Sequence, residues 1–160
     1  MRLLAVDVGE RRIGLALSDP TATLARPLKV LTVPRLENKR LKGVIVVANE
    51  ILTLEKEEDG LAGVVVGLPV SLTGQAHSQT QYVLRFVESL RTYTELPIHF
   101  QDERLSSHEA ESRLAEHERD WRQRKIRLDA ASAAVILQDF LDSQSDLTNS
   151  SRVKKADDRA

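Results

Sequence analysis

Leu3-Leu4-Ala5-Val6-Asp7-Val8-Gly9, then Glu10-Arg11-Arg12, then Ile13-Gly14-Leu15-Ala16-Leu17-Ser18 is the stretch that decides the fold. Residues 2–8 read as a strand apolar enough to be covered on both faces. Gly9 to Arg12 reads as a turn with a conformationally free first residue. Residues 13–18 read as a second strand, so the two form a hairpin. Within the first apolar run sits a carboxylate, Asp7. A charge there is costly to bury unless it is paired or binds a metal. Asp7 is therefore either a misplaced residue or the anchor of a site.

Working outward, Asp19-Pro20 ends the hairpin, and Leu28 to Val33, between two prolines, is a third short strand. Residues 37–57 predict a helix with Leu41, Val44, Ile45, Ala48, Ile51 and Leu52 on one face, stopped by Gly60. Leu61 to Leu68 is a fourth strand, and its Val64-Val65-Val66 run marks it as central and parallel. After a loop from Pro69 to Gln75, Ser78 to Thr94 predict a second helix, with Tyr82, Val83, Phe86, Val87 and Leu90 inward. Pro97 to Asp102 is a fifth strand. Ser106 to His117 read as a short polar helix, 118–127 as a charged loop, and 129–142 as a last helix. Its inward face is Ala130, Ala134, Leu137 and Leu141. The pattern predicts an α/β fold with helices on both faces of a mixed five-stranded sheet. The first three strands are antiparallel and the last two run parallel to the first. Residues 1–142 form one domain. From Ser143 to residue 160 the chain is polar and is expected to be a tail without order.

At 160 residues the chain is the size of one domain. Its 23 basic and 24 acidic residues nearly cancel, so polyanion binding has to come from a local patch. There are no cysteines, which excludes disulfides and thiolate metal sites. No run reaches the roughly 18 apolar residues of a membrane helix, and the N-terminus lacks a signal peptide pattern. A cytoplasmic protein without membrane association is expected.

Carboxylates gather at element ends: Asp7 near the end of strand one, Asp102-Glu103 ending strand five, Asp129 opening the last helix. If strands one, four and five are neighbours, these acids converge where open α/β sheets bind ligands. Clustered carboxylates repel, and one protonates unless a cation holds them. Mg²⁺ or Mn²⁺ suits an all-oxygen site, and two such ions about 3.5–4 Å apart form the clamp used for in-line displacement at phosphorus. Each acid also has a plainer reading: Asp129 as a helix cap, Asp102 and Glu103 as a polar strand end with Glu103 pairing Arg104. Gly14, inside a strand, marks a close approach of backbone or ligand, whereas Gly9 is explained by the turn. The loop 67–75 is nearly free of charge and runs into a helix start, as a phosphate-binding loop or an ordinary βα connection would. Residues 119–127 hold Arg119, Arg122, Arg124, Lys125 and Arg127 around Trp121, the only tryptophan. That mixture suits a nucleic-acid backbone and a stacked base, and equally a solvated charged loop. Arg11 and Arg12 lie on the Asp7 side. His99 shares a strand face with Gln101 and Glu103 and is expected to be structural.

Four short motifs in order resemble the YqgF/RuvX-type family of pre-16S rRNA nucleases and Holliday-junction resolvases over residues 2–142. They are Asp7-Val8-Gly9 with Arg12-Ile13-Gly14; Val66-Gly67-Leu68-Pro69 with Gly74; Asp102-Glu103-Arg104-Leu105-Ser106; and Asp129 followed by Ala130-Ala131-Ser132-Ala133-Ala134. The resemblance implies an RNase H-like fold, a cytoplasmic protein, and a role in maturing the 5′ end of 16S rRNA on ribosomal precursor particles. It also implies that Asp7, Glu103 and Asp129 are the catalytic acids. Thr73 stands where many members carry an acid before the loop glycine, and the chain after Ser143 is longer than the compact family core.

The expected function is thus a metal-dependent nuclease using one or two Mg²⁺ or Mn²⁺ ions. Asp7, Glu103 and Asp129, with Asp102 in reach, would hold the metal. Arg11, Arg12, Arg104, Arg119, Trp121, Arg122, Arg124, Lys125 and Arg127 would hold the substrate, structured RNA or branched DNA. Two alternatives remain: a Holliday-junction resolvase, and an RNA- or ribosome-binding module with little catalysis. Monomer and homodimer are both open. An ATPase or sugar kinase of the actin type also begins with an Asp-x-Gly hairpin, but it needs two such domains.

Overall fold

The computed structural model of the chain describes residues 1–34, 38–70, 78–103 and 121–157. Five strands form one sheet: β1 (Arg2–Asp7), β2 (Arg12–Ser18), β3 (Ala25–Thr32), β4 (Leu61–Leu68) and β5 (Ile98–Asp102). Their order is β3-β2-β1-β4-β5. β2 runs antiparallel to both β1 and β3, and β4 runs parallel to β1 and β5, as the sequence predicts. The strand pair flanking β1 on each side leaves it central, which is why its run is apolar on both faces.

Among the described residues, three helices cover the two faces: α1 (Lys39–Glu55), α2 (Ser78–Leu90) and α3 (Trp121–Asp157). Alternation along the strands sorts the core. Leu4, Val6, Ile13, Leu15, Val64 and Val66 pack with Val44, Val47, Ile51, Phe86 and Leu90 of α1 and α2. On the other face, Ala5, Ala16 and Val65 pack beneath Ala133, Ile136, Leu137, Phe140 and Leu141 of α3. Gln138 fastens α3 to the β2–β3 loop, accepting from the Ala25 N–H (2.9 Å) and donating to the Thr23 carbonyl (3.0 Å).

Several boundaries depart from the sequence reading. β3 begins at Ala25 and passes through Pro27; it lies at the sheet edge, where a missing N–H is tolerated, and its pairing skips Leu28. In α1 the buried face is Val44, Val47, Ala48, Ile51 and Leu54, while Leu41, Ile45 and Leu52 are exposed. The largest difference is α3. Residues 121–127, expected in a loop, form its first turns, and Asp129 lies in the third turn rather than at the cap. Residues 143–157, expected without order, continue the same helix. No glycine or proline follows Pro97, so no stop signal ends it. Residues 142–151 are nonetheless exposed, in keeping with their polar composition. The polar helix expected at 106–117, the loop 71–77 with Thr73 and Gly74, and Arg104 and Arg119 lie outside the described residues.

Candidate active site

The parity of β1 aims Asp7 at the α3 face, with Leu3 and Ala5. Two glycines flank it. Across the β1–β2 ladder, Gly14 is the partner of Asp7. A Cβ on Gly14 would run into the carbonyl of Asp129 and crowd the Ala130 nitrogen at 3.2 Å. The bare backbone of β2 thus lets α3 settle against the sheet at Asp129. On the other side, β4 presents Gly67 just past the Val6–Val66 pair. A Cβ there would lie 2.6 Å from Glu103 Oε2 and 2.6 Å from Ile136 Cδ1. The notch at Gly67 therefore seats the Glu103 carboxyl over the sheet. The Glu103 N–H extends the β4–β5 ladder to the Leu68 carbonyl (3.3 Å), fixing the residue just beyond the strand end. Two notches in neighbouring strands bring carboxyls from β5 and α3 to the one in β1.

The electrostatics follow from this convergence. Burial raises the Asp7 carboxyl to about 6; a hydrogen bond from Glu103 opposes the rise and the Asp129 charge adds to it. Glu103 is pushed up to about 9, by burial first and then by the Asp7 charge, with Asp102 adding a smaller repulsion. Burial and mutual repulsion favour a proton held between the two carboxyls, which titrate as a pair. Asp129 meets a different counter-charge: Arg12 Nε lies 2.9 Å from its Oδ2, both side chains being about 30% exposed.

Of the expected metal ligands, the structure thus brings Asp7, Glu103 and Asp129 into one electrostatic unit. Asp102 is exposed and contributes to it through its charge on Glu103. Among the described residues, no three acidic or imidazole side chains are drawn in tightly enough to enclose an ion. A shared proton and the Arg12 guanidinium hold these acids instead. The donor set still fits a hard dication, because all three groups are oxygen donors whose repulsion is relieved here by a proton and an arginine. His99 packs its ring 5.2 Å from that of Phe140.

Beside Asp129 opens a cleft of about 690 Å³, lined by the turn Gly9–Arg12 and by Thr32, Val33 and Pro34. The Val33 N–H donates to the Arg11 carbonyl (2.7 Å), tying the hairpin turn to the end of β3. Arg11 and Arg12 both line this cleft, although Arg12 is engaged with Asp129. Trp121, Arg122, Arg124, Lys125 and Arg127 are carried on α3, on the turns before Asp129. The sequence reading missed two features: the ion pair of Arg12, and the seat that Gly67 makes for Glu103. A glycine directly after Val64-Val65-Val66 in a buried strand was the available signal for the second.

This strand order, with acids from β1, the end of β5 and the covering helix, defines an RNase H-like nuclease fold. The sequence model of the family described as "RuvX: Holliday junction resolvase" matches residues 1–143. A relative from Roseiflexus sp. (strain RS-1), named "Putative pre-16S rRNA nuclease", is 44% identical over 144 residues, covering 89% of this chain and 95% of its own. A second relative of that name, from Anaeromyxobacter sp. (strain Fw109-5), is 42% identical over 90% of this chain and 98% of its own. The chain belongs to the RuvX family, a family of hydrolytic nucleases. Among solved structures, Thermus thermophilus RuvC in complex with Holliday junction substrate shares the fold. Its TM-score is 0.52 at 18% identity, over 91% of this chain and 96% of that one. The fowlpox virus Holliday junction resolvase superposes with a TM-score of 0.50 at 12% identity, over 90% and 99% of the two chains. Dependence on divalent metal is general to this class.

Two outcomes test the site's construction. Asp7 and Glu103 have folded pKa values above their unfolded ones, so the unfolded chain releases these protons first. Stability that is full below about pH 4 should fall as pH rises toward 6 for Asp7 and toward 9 for Glu103. Thermal melts in chelator across this range should show the fall, and Glu103→Gln should flatten it, adding on the order of 2 kcal/mol at pH 8. Separately, Gly67→Ala should unseat Glu103, costing about 1–3 kcal/mol of stability in denaturant titrations, with Mn²⁺ binding lost by calorimetry.

Proposed function

We propose that Asp7, Glu103 and Asp129 hold Mg²⁺ or Mn²⁺, as one ion or two, and that the chain hydrolyses phosphodiester bonds in the 5′-end maturation of pre-16S rRNA. The observation that carries this reading is the convergence of three carboxyls on the Asp7 position, where burial and mutual repulsion raise Asp7 and Glu103. Such an arrangement destabilises the protein unless charge is to be received. The names of the curated relatives support the choice of RNA substrate.

A bound divalent cation supplies Lewis-acid polarisation of the scissile phosphate. The chain's own groups do the rest. Asp7, Glu103 and Asp129 would hold such a cation through their carboxylate oxygens, and its charge would offset the repulsion among them. Arg11 and Arg12, which line the adjoining cleft, would meet phosphate oxygens there. Trp121 and the basic residues through Arg127, with Arg104 and Arg119, hold the flanking backbone. Residues 1–142 constitute the nuclease domain. We place the protein in the cytoplasm, acting on ribosomal precursors; among the described residues no helix is long and apolar enough to cross a membrane.

The family description and the two resolvase structures favour a second reading, cleavage of four-way DNA junctions. A symmetric junction calls for a two-fold dimer, so a monomeric chain fits the RNA reading. A precursor rRNA 5′ segment and a four-way junction, each incubated with Mn²⁺ or Mg²⁺, separate the two. The RNA should be cut and the junction left intact. Asp7→Asn should reduce cleavage to background while its thermal midpoint in chelator rises. Parental cleavage by the folded Asp7→Asn protein would remove Asp7 from the site.

A further inference from the structure

The first turn of α1 is built against its own stability. Its sequence begins Lys39-Arg40-Leu41-Lys42, with no acidic residue in the turn and no side-chain cap from Asn38. Cations at a helix N-terminus oppose the helix dipole. Arg40 Nε is buried and lacks a hydrogen-bond partner among the described residues. Facing it, α2 carries Tyr82, Arg85 and Ser89 along one stripe that continues to Thr92 in the following turn. Arg40, Arg85, Ser89 and Thr92 line a hollow of about 460 Å³, with Glu88 at its side. Among the described residues neither guanidinium has a carboxylate partner.

Shared lining residues lead from this hollow toward the strand ends. Arg85 also lines an adjoining hollow with Glu10, Gln79 and Tyr82, and Glu10 lines the cleft beside Asp129. The charges of Glu10 and Arg40 both act on the Tyr82 hydroxyl. At its start α2 abuts the end of β1, where the Gln79 amide donates to the Val8 carbonyl (3.5 Å). Ten residues of helix separate Gln79 from Ser89, a rise of about 15 Å, or roughly four steps of a nucleic-acid strand.

We propose that Arg40 and Arg85, with the hydroxyls of Ser89 and Thr92, form a second phosphate-binding site that grips the substrate's backbone about four nucleotides from the scissile bond. The inference rests on the nuclease reading above and extends it to substrate length. Two arginines supply paired donors to one phosphodiester, and a phosphate there supplies the anion that the α1 terminus lacks. Affinity then depends on the flank. A substrate that ends inside four base pairs of the cleavage point loses this contact.

The test uses the full chain with Ca²⁺ and RNA hairpins carrying about 4 or about 20 base pairs beside the scissile bond, followed by fluorescence anisotropy across salt concentrations. Arg40→Gln with Arg85→Gln should weaken the long hairpin about tenfold and lower its salt slope by about 0.9, the share of one phosphate contact, leaving the short one unchanged. The thermal midpoint should hold or rise, since a cation leaves the α1 terminus. Equal affinity of parent and variant for the long hairpin would overturn the site and leave the nuclease reading standing. Loss of inorganic phosphate binding alone, with long-hairpin affinity intact, would overturn it as a small-anion site. A parent that binds neither hairpin nor junction would overturn the nuclease reading and this inference together.

Discussion

A negative charge placed in the middle strand of a sheet constrains everything near it. Asp7 cannot turn to solvent without breaking the alternation that buries Leu4 and Val6. Its environment must therefore come to it. Backbone without side chains makes this possible: Gly14 and Gly67 each open room for a carboxyl-bearing segment to lie against the sheet. Once the three acids are together their repulsion has to be answered. The protein answers it locally, with a proton between Asp7 and Glu103 and with Arg12 on Asp129. Gathering these charges forgoes stability, as functional sites commonly do.

The parallel or antiparallel sense of every pair was legible in the sequence, whereas the adjacency of β1, β4 and β5 entered only as a condition. The apolar runs, the Val64-Val65-Val66 segment and the intervening helical periodicity leave few other right-handed connections. Asp7 was legible too, because a lone acid in an apolar strand has few structural explanations. The start of α3 was not: Arg122, Arg124, Lys125 and Arg127 suit a charged loop and a solvated helix equally, and only packing against Gly14 decides where Asp129 sits along it. The apolar face of α1 was shifted by about one residue for a related reason. Leu41, Ile45 and Leu52 continue the periodicity, yet the helix rolls toward Val47 and Leu54 to meet Phe86 and the sheet. The glycine at 67 signals a close approach within a buried strand, but what approaches, Glu103, lies far along the chain and has no local signature.

Bulk charge says little about this molecule, since acids and bases nearly cancel. Their placement says more. The carboxyls are collected on the α3 side of the sheet, at the ends of β1 and β5. The guanidinium groups of Arg40 and Arg85 line one hollow between α1 and α2, across the opposite face. A polyanion approaching the strand ends meets attraction from the helices before it meets the acids, so the field orients it without any excess of positive charge.

The carboxyls that meet at Asp7 come from the first strand, the fifth strand and the last described helix. Each needs the others' elements in place, and the contact that completes the set joins segments near opposite ends of the sequence. A chain made from its N-terminus exposes β1 and its acid long before α3 exists. Until Asp129 has been synthesised and docked against Gly14, there is no assembled centre. On the proposed reading, a growing polypeptide carries no working centre, and is harmless to the nucleic acid around it, until the segment that bears Asp129 has been added.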